Sequence, residues 1–216
     1  MSYDVEEQEQ LENVKAWWAQ HGRLVSNIIS VILIVISLYF GYKWWNNYKE
    51  EKAYALVTQL NAAIDAKNSA EILKVALDLK EHYPNSTHTV VAILRSAQIL
   101  PAKNSTDVID LLKFAANNSK QKEYTILANY RLASILIDNK KFDEAIELMT
   151  KPIKDNPSWQ GLFADRAADA YAAKGDKQKA KALYEQALKS AQETQNKALQ
   201  NFVELKMNVS TAANSN

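Results

Sequence analysis

The sequence predicts an all-α chain: a single N-terminal transmembrane helix followed by a stack of helical hairpins. Three observations predict it. Leu24 to Tyr42 is nineteen residues without a charge. From residue 50 onward Ala, Leu, Lys, Glu and Gln dominate, while the whole chain has only four glycines and four prolines. Such a composition favours helix and offers few breakers. Finally, apolar and small residues recur in the last third at an offset of 35 residues, the mark of a stacked array.

Residues 1–22 form a tail holding Asp4, Glu6, Glu7, Glu9 and Glu12 against Lys15. Leu11, Val14 and Trp18 fall three and four apart, an apolar stripe on a short acidic helix. Two readings stand: docking to a cytoplasmic partner, or a helix lying among the lipid headgroups. Its acidity argues against anionic lipid, which attracts bases.

Residues 23–45 are the expected transmembrane helix. At about 1.5 Å per residue the uncharged run spans roughly 28 Å, close to the hydrocarbon thickness of a bilayer. Twelve of its residues are Leu, Ile, Val or Phe, contributing on the order of −4 to −7 kcal/mol towards insertion. Ser26, Asn27, Ser30 and Ser37 offset part of that. Trp17, Trp18, Trp44 and Trp45 flank the two ends, where indoles favour the headgroup layer of the lipid bilayer. A cleaved signal peptide needs a basic leader, a shorter apolar run and small residues at the cut. Here the leader is acidic and the exit reads Leu38-Tyr39-Phe40-Gly41-Tyr42, so the span is expected to stay as an anchor. Lipid attachment through cysteine is excluded, because the chain has none. Lys15 and Arg23 on one side against Lys43, Lys49 and Lys52 on the other do not decide the orientation.

Residues 46–213 suffice for one domain with its own core. Residues 1–23 carry a net charge of −3 (two bases, five acids), which leaves +4 for the remainder of a chain whose total is +1. Neither value is the basic stripe of a nucleic-acid binder. Breaks fall at 67–69, 83–86, 101–105, 117–120, 138–141, 155–158 and 174–176, cutting the region into helices of about 12–18 residues, with Ser69, Ser105 and Ser158 as expected caps. Short connections of this kind pair helices antiparallel.

The repeat is clearest between Arg131 to Leu136 and Arg166 to Tyr171. Ala133/Ala168, Leu136/Tyr171, Ala145/Ala180, Met149/Tyr184 and Pro152/Ala187 all share the 35-residue offset. Alanines at 133, 145, 168 and 180 let neighbouring helices approach closely. This pattern resembles the tetratricopeptide (TPR) repeat, a helix–turn–helix unit of about 34 residues; Gly175 to Leu188 matches it best, and Asn156-Pro157 stops a unit as the family's proline does. Ala97, Ile109 and Ala116 give a weaker unit over about 90–120, and another over about 53–84 ends in His82-Tyr83-Pro84. Asn196 to Val209, with Leu199, Phe202, Val203, Leu205 and Met207, is expected to cap the TPR-like solenoid, whose units cannot bury their apolar faces alone.

With Gln10 to Trp18 before His21-Gly22, one span, Gly41-Tyr42-Lys43-Trp44-Trp45 after it and degenerate TPR units ending in the Gly175-Asp176-Lys177 turn, the whole chain resembles the ancillary SecYEG translocon subunit (YfgM-like) family of Gram-negative bacteria. The resemblance implies a bacterial inner-membrane protein, single-pass, with a cytoplasmic tail and a periplasmic TPR-like domain. It also implies partners: the SecYEG translocon, a membrane-anchored periplasmic prolyl-isomerase-like chaperone, and exported polypeptides.

No motif for catalysis emerges. Gly22, Gly41, Gly161 and Gly175 are isolated, so no phosphate-cradling loop is present. His82 and His88 straddle Pro84 without further ligands at zinc-site spacing. Asp165 and Asp169 lie four apart on one helix face, read as a solvated or peptide-contacting face. The sequence therefore assigns no catalytic residue, cofactor or metal, and no nucleic-acid partner. By position in the repeat, first helices line a concave surface that should include Leu94, Gln98, Tyr130, Ser134, Ile137, Asp165 and Asp169, with Leu94 and Ile137 serving either groove or core. A scaffold for another cell-envelope complex would use the same groove, and a membrane-tethered envelope hydrolase would need a pocket.

Overall fold

The computed structural model describes residues 3–100, 105–151 and 156–212. Pro152, and the part of the 101–105 break before Ser105, lie outside the described residues. The described chain is helical throughout, in the order α1 (Tyr3–Asp65), α2 (Ser69–His82), α3 (Thr87–Ile99), α4 (Ser105–Asn118), α5 (Lys122–Asp138), α6 (Phe142–Met149), α7 (Pro157–Lys174), α8 (Lys177–Glu193) and α9 (Lys197–Ala212). By packing it divides between Glu51 and Lys52 into two units.

The first unit is helix without a core. The side chains of Leu24 to Tyr42 stand open around its circumference, and an apolar window of mean hydropathy 2.3 within the helix has none of its residues buried. A run this apolar that buries nothing is long enough to cross a membrane once, the outcome composition predicted. At its head Trp18 folds its indole over Gly22, where an added Cβ would lie 3.0 Å from the ring nitrogen. Trp17 stacks on His21 at 5.2 Å.

The second unit begins with residues 52–65 of α1, whose Ala53, Leu60 and Ala63 share a core with Ile72, Val75 and Leu79 of α2 and Ala92 of α3. The helices then alternate as first and second members of pairs: α3 with α4, α5 with α6, α7 with α8, closed by α9. A large core runs from α2 to α7, with Ile93, Leu111, Leu112, Leu132 and Leu136 at its centre. A smaller one joins α7, α8 and α9 through Ala168, Ala180, Tyr184, Leu199 and Val203. The alanines at 133, 145, 168 and 180 are all buried, as the repeat required, and so are Met149 and Tyr184 on the inner faces of the second helices.

Helix ends differ in detail from the sequence expectation. Asn68, not Ser69, caps α2, its Oδ1 accepting from the Glu71 amide. Ser86 caps α3. Ser158 lies inside α7, because Pro157 occupies the first turn, where its missing N–H costs nothing. Asp176 caps α8 after Gly175, which takes a left-handed φ of 95°. Ser105 is the first residue of α4 rather than the residue before it. α6 is only eight residues long as described.

Ala168 tests the close approach of paired helices. A168L inserts three carbons into a filled contact and lowers the unfolding free energy by about 1–3 kcal/mol. A172L, on the exposed side of the same helix, changes it by less than about 0.5 kcal/mol. Urea unfolding followed by circular dichroism separates the two.

Candidate functional site

The seven groove residues expected from the repeat all fall on α3, α5 and α7, and hydrogen bonds between successive first helices tie five of them together. Arg95 on α3 donates to the Asn61 side chain on α1. Arg131 on α5 donates to the Leu94 carbonyl and, at 3.2 Å, to Oε1 of Gln98 on α3. Arg166 on α7 donates through Nη2 to the Tyr130 hydroxyl on α5 at 2.9 Å and lies over that ring at 5.1 Å. Lys206 on α9 donates to both oxygens of Asp165 and of Asp169 on α7 at 2.8–2.9 Å. Each first helix is thus fastened to the one before it by a long basic side chain.

These cations were not singled out from sequence, although their signal is there. The chain has four arginines, and three of them, Arg95, Arg131 and Arg166, are spaced 36 and 35 apart. Lysine is abundant elsewhere. Arginine's planar fork presents several donors in a fixed geometry; Arg131 uses it for two acceptors, and Arg166 for an acceptor and a ring.

Around Asp169 the contacts are densest. Tyr184 of α8 donates to its Oδ1 at 2.7 Å, and Arg166 Nη1 reaches its Oδ2 at 3.2 Å. Asp165 is 1% exposed. Burial pushes its carboxyl above the ordinary range and the Asp169 charge adds to this, against the opposing bonds from Lys206. Burial and the bond to Asp169 likewise push the Tyr184 hydroxyl up, so it stays a donor. Arg166 Nε is buried without a partner. The rings of Tyr130, Trp159 and Phe163 form a mutual cluster, with centroids 6.0 to 6.3 Å apart.

The remaining positions are less engaged. Leu94 is buried in the large core, and Ile137 packs against it partly buried. Ser134 donates back to the Tyr130 carbonyl within its own helix. Gln98 is exposed. Asp165 and Asp169, read from sequence as an open face, are bridged by Lys206. Trp17, Trp18, Trp44 and Trp45 are all exposed on α1. Elsewhere His82 pairs with Asp78 at 3.0 Å, and His88 lies edge-on to Tyr54. Among the described residues no group of three or more His, Asp or Glu could hold a metal ion.

A stack of helix pairs with a repeating register at its first helices defines a class, and comparison with known proteins agrees. Residues 15–211 match the model of the tetratricopeptide repeat-like domain, and the chain belongs to that family. Its similarity to individual proteins extends through the apolar helix as well. It is 28% identical to the ancillary SecYEG translocon subunit of Aggregatibacter actinomycetemcomitans over 88% of this chain and 93% of the relative. It is also 28% identical to that of Neisseria gonorrhoeae, over 87% and 90%, and 25% identical to that of Haemophilus influenzae, over 96% and 99%.

Two measurements probe the α7–α9 contact. K206M leaves the Asp165 and Asp169 carboxylates without their shared cation and lowers the unfolding free energy by about 3 kcal/mol in urea titrations. The pH dependence has a definite sign. Asp165 has a folded pKa above its unfolded value of 3.8, so its contribution is full below that value and is lost as pH rises through the folded pKa. D165N therefore gains stability relative to the unaltered chain as pH rises from about 3.5 to about 7; the difference between the two melting curves across that range checks it.

Proposed function

We propose that this chain is a non-enzymatic accessory subunit of the Sec translocon, anchored in the bacterial inner membrane by residues 23–45. The tail, residues 1–22, lies in the cytoplasm and the TPR-like domain, residues 46–213, in the periplasm. There the face built by the first helices holds segments of translocon or chaperone partners, a membrane-anchored prolyl-isomerase-like chaperone among them, and assists newly exported polypeptides. The observation that carries this reading is the near full-length match, apolar helix included, to relatives named ancillary SecYEG translocon subunit. Two structural features support it. The apolar helix buries nothing in the described chain, which suits a membrane anchor. The first-helix face is a partly polar surface tied together by hydrogen bonds between helices, suited to extended segments or helices. Anchoring such a face beside a channel raises the effective concentration of whatever emerges there.

The chain has no cysteine, so one introduced thiol reports unambiguously. Gln98 is exposed on α3, and Glu185 is exposed on α8 away from that face. In spheroplasts treated with a membrane-impermeant photoactivatable maleimide, Q98C is expected to label from outside and to capture Sec subunits or a prolyl isomerase, and E185C to label without capturing them. Labelling of Q98C only after lysis, or capture of other envelope machinery alone, would overturn the assignment.

A further inference from the structure

The second unit leaves few large hydrophobic side chains open to solvent, and their placement is not scattered. Among the described residues from 52 to 212 they are Tyr54, Val91, Ile99, Phe202 and Leu205, each 40% to 60% exposed. All five belong to the first-helix series: α1, α3 and α9. The first helices also align with one another in a repeating register. Val91, Arg95 and Gln98 on α3 correspond, at offsets of 36, 35 and 36, to Leu127, Arg131 and Ser134, to Leu162, Arg166 and Asp169, and to Ala198, Phe202 and Leu205. Tyr54 precedes Asn61, the acceptor for Arg95, by seven residues, two helical turns on the same side. Phe202 therefore stands on α9 in the register that arginine holds on the preceding first helices. Lys206, one turn later, supplies the cation and lies 4.4 Å above the Phe202 ring.

The face is consequently apolar towards both ends and polar between them, where α5 and α7 present Arg131, Ser134, Arg166 and Asp169. The charge in that middle is only partly balanced. Arg166 and Lys206 are met by Asp165 and Asp169. Arg95 and Arg131 bond neutral acceptors alone, and neither has an ion pair among the described residues. Burial pulls the Arg131 guanidinium below its ordinary pKa, as befits a cation without a counter-ion. Spacing follows from helix packing. Neighbouring first helices in contact lie about 8–10 Å apart, so three steps from α3 to α9 cover roughly 24–30 Å, the length of about eight extended residues.

We propose that this face selects extended polypeptide segments carrying bulky apolar residues at two places about eight residues apart with an acidic residue between them, anchored by Val91 and Ile99 at one end and by Phe202 and Leu205 of the closing helix at the other. This rests on the reading that the first-helix face holds partner segments, and it makes α9 a specificity element as well as a cap. The acidic residue is placed by the unpaired Arg95 and Arg131.

Fluorescent synthetic peptides test it against the full chain in detergent micelles. The reference peptide carries two Leu-Phe pairs about eight residues apart with a central Glu; one variant shortens the spacer by half and another replaces Glu with Lys. The reference is expected to bind at least about tenfold more tightly than either variant, a difference of ~1.4 kcal/mol. F202E/L205E, both at exposed positions, should lower its affinity by a similar factor while the helical melting curve stays in place. Shortening the spacer should then make no further difference. The proposal fails if the three peptides bind the unaltered chain equally or not at all, or if F202E/L205E binds the reference peptide unchanged. It fails also if F202E/L205E shifts vesicle association of the chain but not peptide binding, because the apolar pair would then serve lipid. Capture of Sec partners through Q98C is independent of these outcomes, so loss of peptide selectivity leaves the broader function standing.

Discussion

No helix pair in this chain can bury its own apolar surface, and every other property of the second unit follows from that constraint. Each pair presents one side to its partner helix and another to the next pair, so burial is completed only by stacking. Alanine makes the stacking possible. Ala133 and Ala145 in the large core, and Ala168 and Ala180 in the smaller one, are buried without the bulk that would hold helices apart, and the larger Leu136, Met149 and Tyr184 share those cores. At the end of the array α9 contributes Leu199 and Val203 to the last core. Beside them Gln200 bonds Glu204.

Hydrophobic stacking is non-directional and does not fix the angle between successive pairs. The polar contacts between first helices do. Arg95, Arg131, Arg166 and Lys206 each reach back across one junction, and hydrogen bonds with defined geometry hold each pair in place against its neighbour. The arrangement is richest where the array ends. Lys206 bonds both oxygens of two carboxylates, one of them fully buried, and such a contact is costly to break even where its net contribution is small. The first-helix face is thereby tied together across every junction from α1 to α9.

The two units have opposite surface chemistry. The apolar run of α1 leaves its side chains uncovered all round, which only lipid can satisfy on that scale. The second unit confines its exposed large hydrophobics to the first-helix side and leaves the second helices charged and open to water. Scattered apolar residues are ordinary on a protein surface, whereas residues confined to one side need an explanation.

Much of this was legible in the sequence, and the limits have physical causes. Nineteen residues without a charge determined a membrane-spanning helix by hydrophobicity alone, because insertion depends on composition and length and not on neighbours. The 35-residue recurrence of small and large residues determined the helical pairs, since the same local packing problem is solved the same way each time. Which residues of the first helices stay available was decided only by tertiary structure. Asp165 and Asp169 look like an open acidic face until α9, some forty residues later, brings Lys206 between them. Leu94 follows the groove register yet lies in the core, because the depth of a side chain depends on how far the next helix tilts over it. Phe202 and Leu205 read as cap core by composition, and α9 instead turns Leu199 and Val203 inward and leaves that pair in solvent. Local pattern sets the helices; contacts between residues far apart in the chain decide which of their faces remain for a partner.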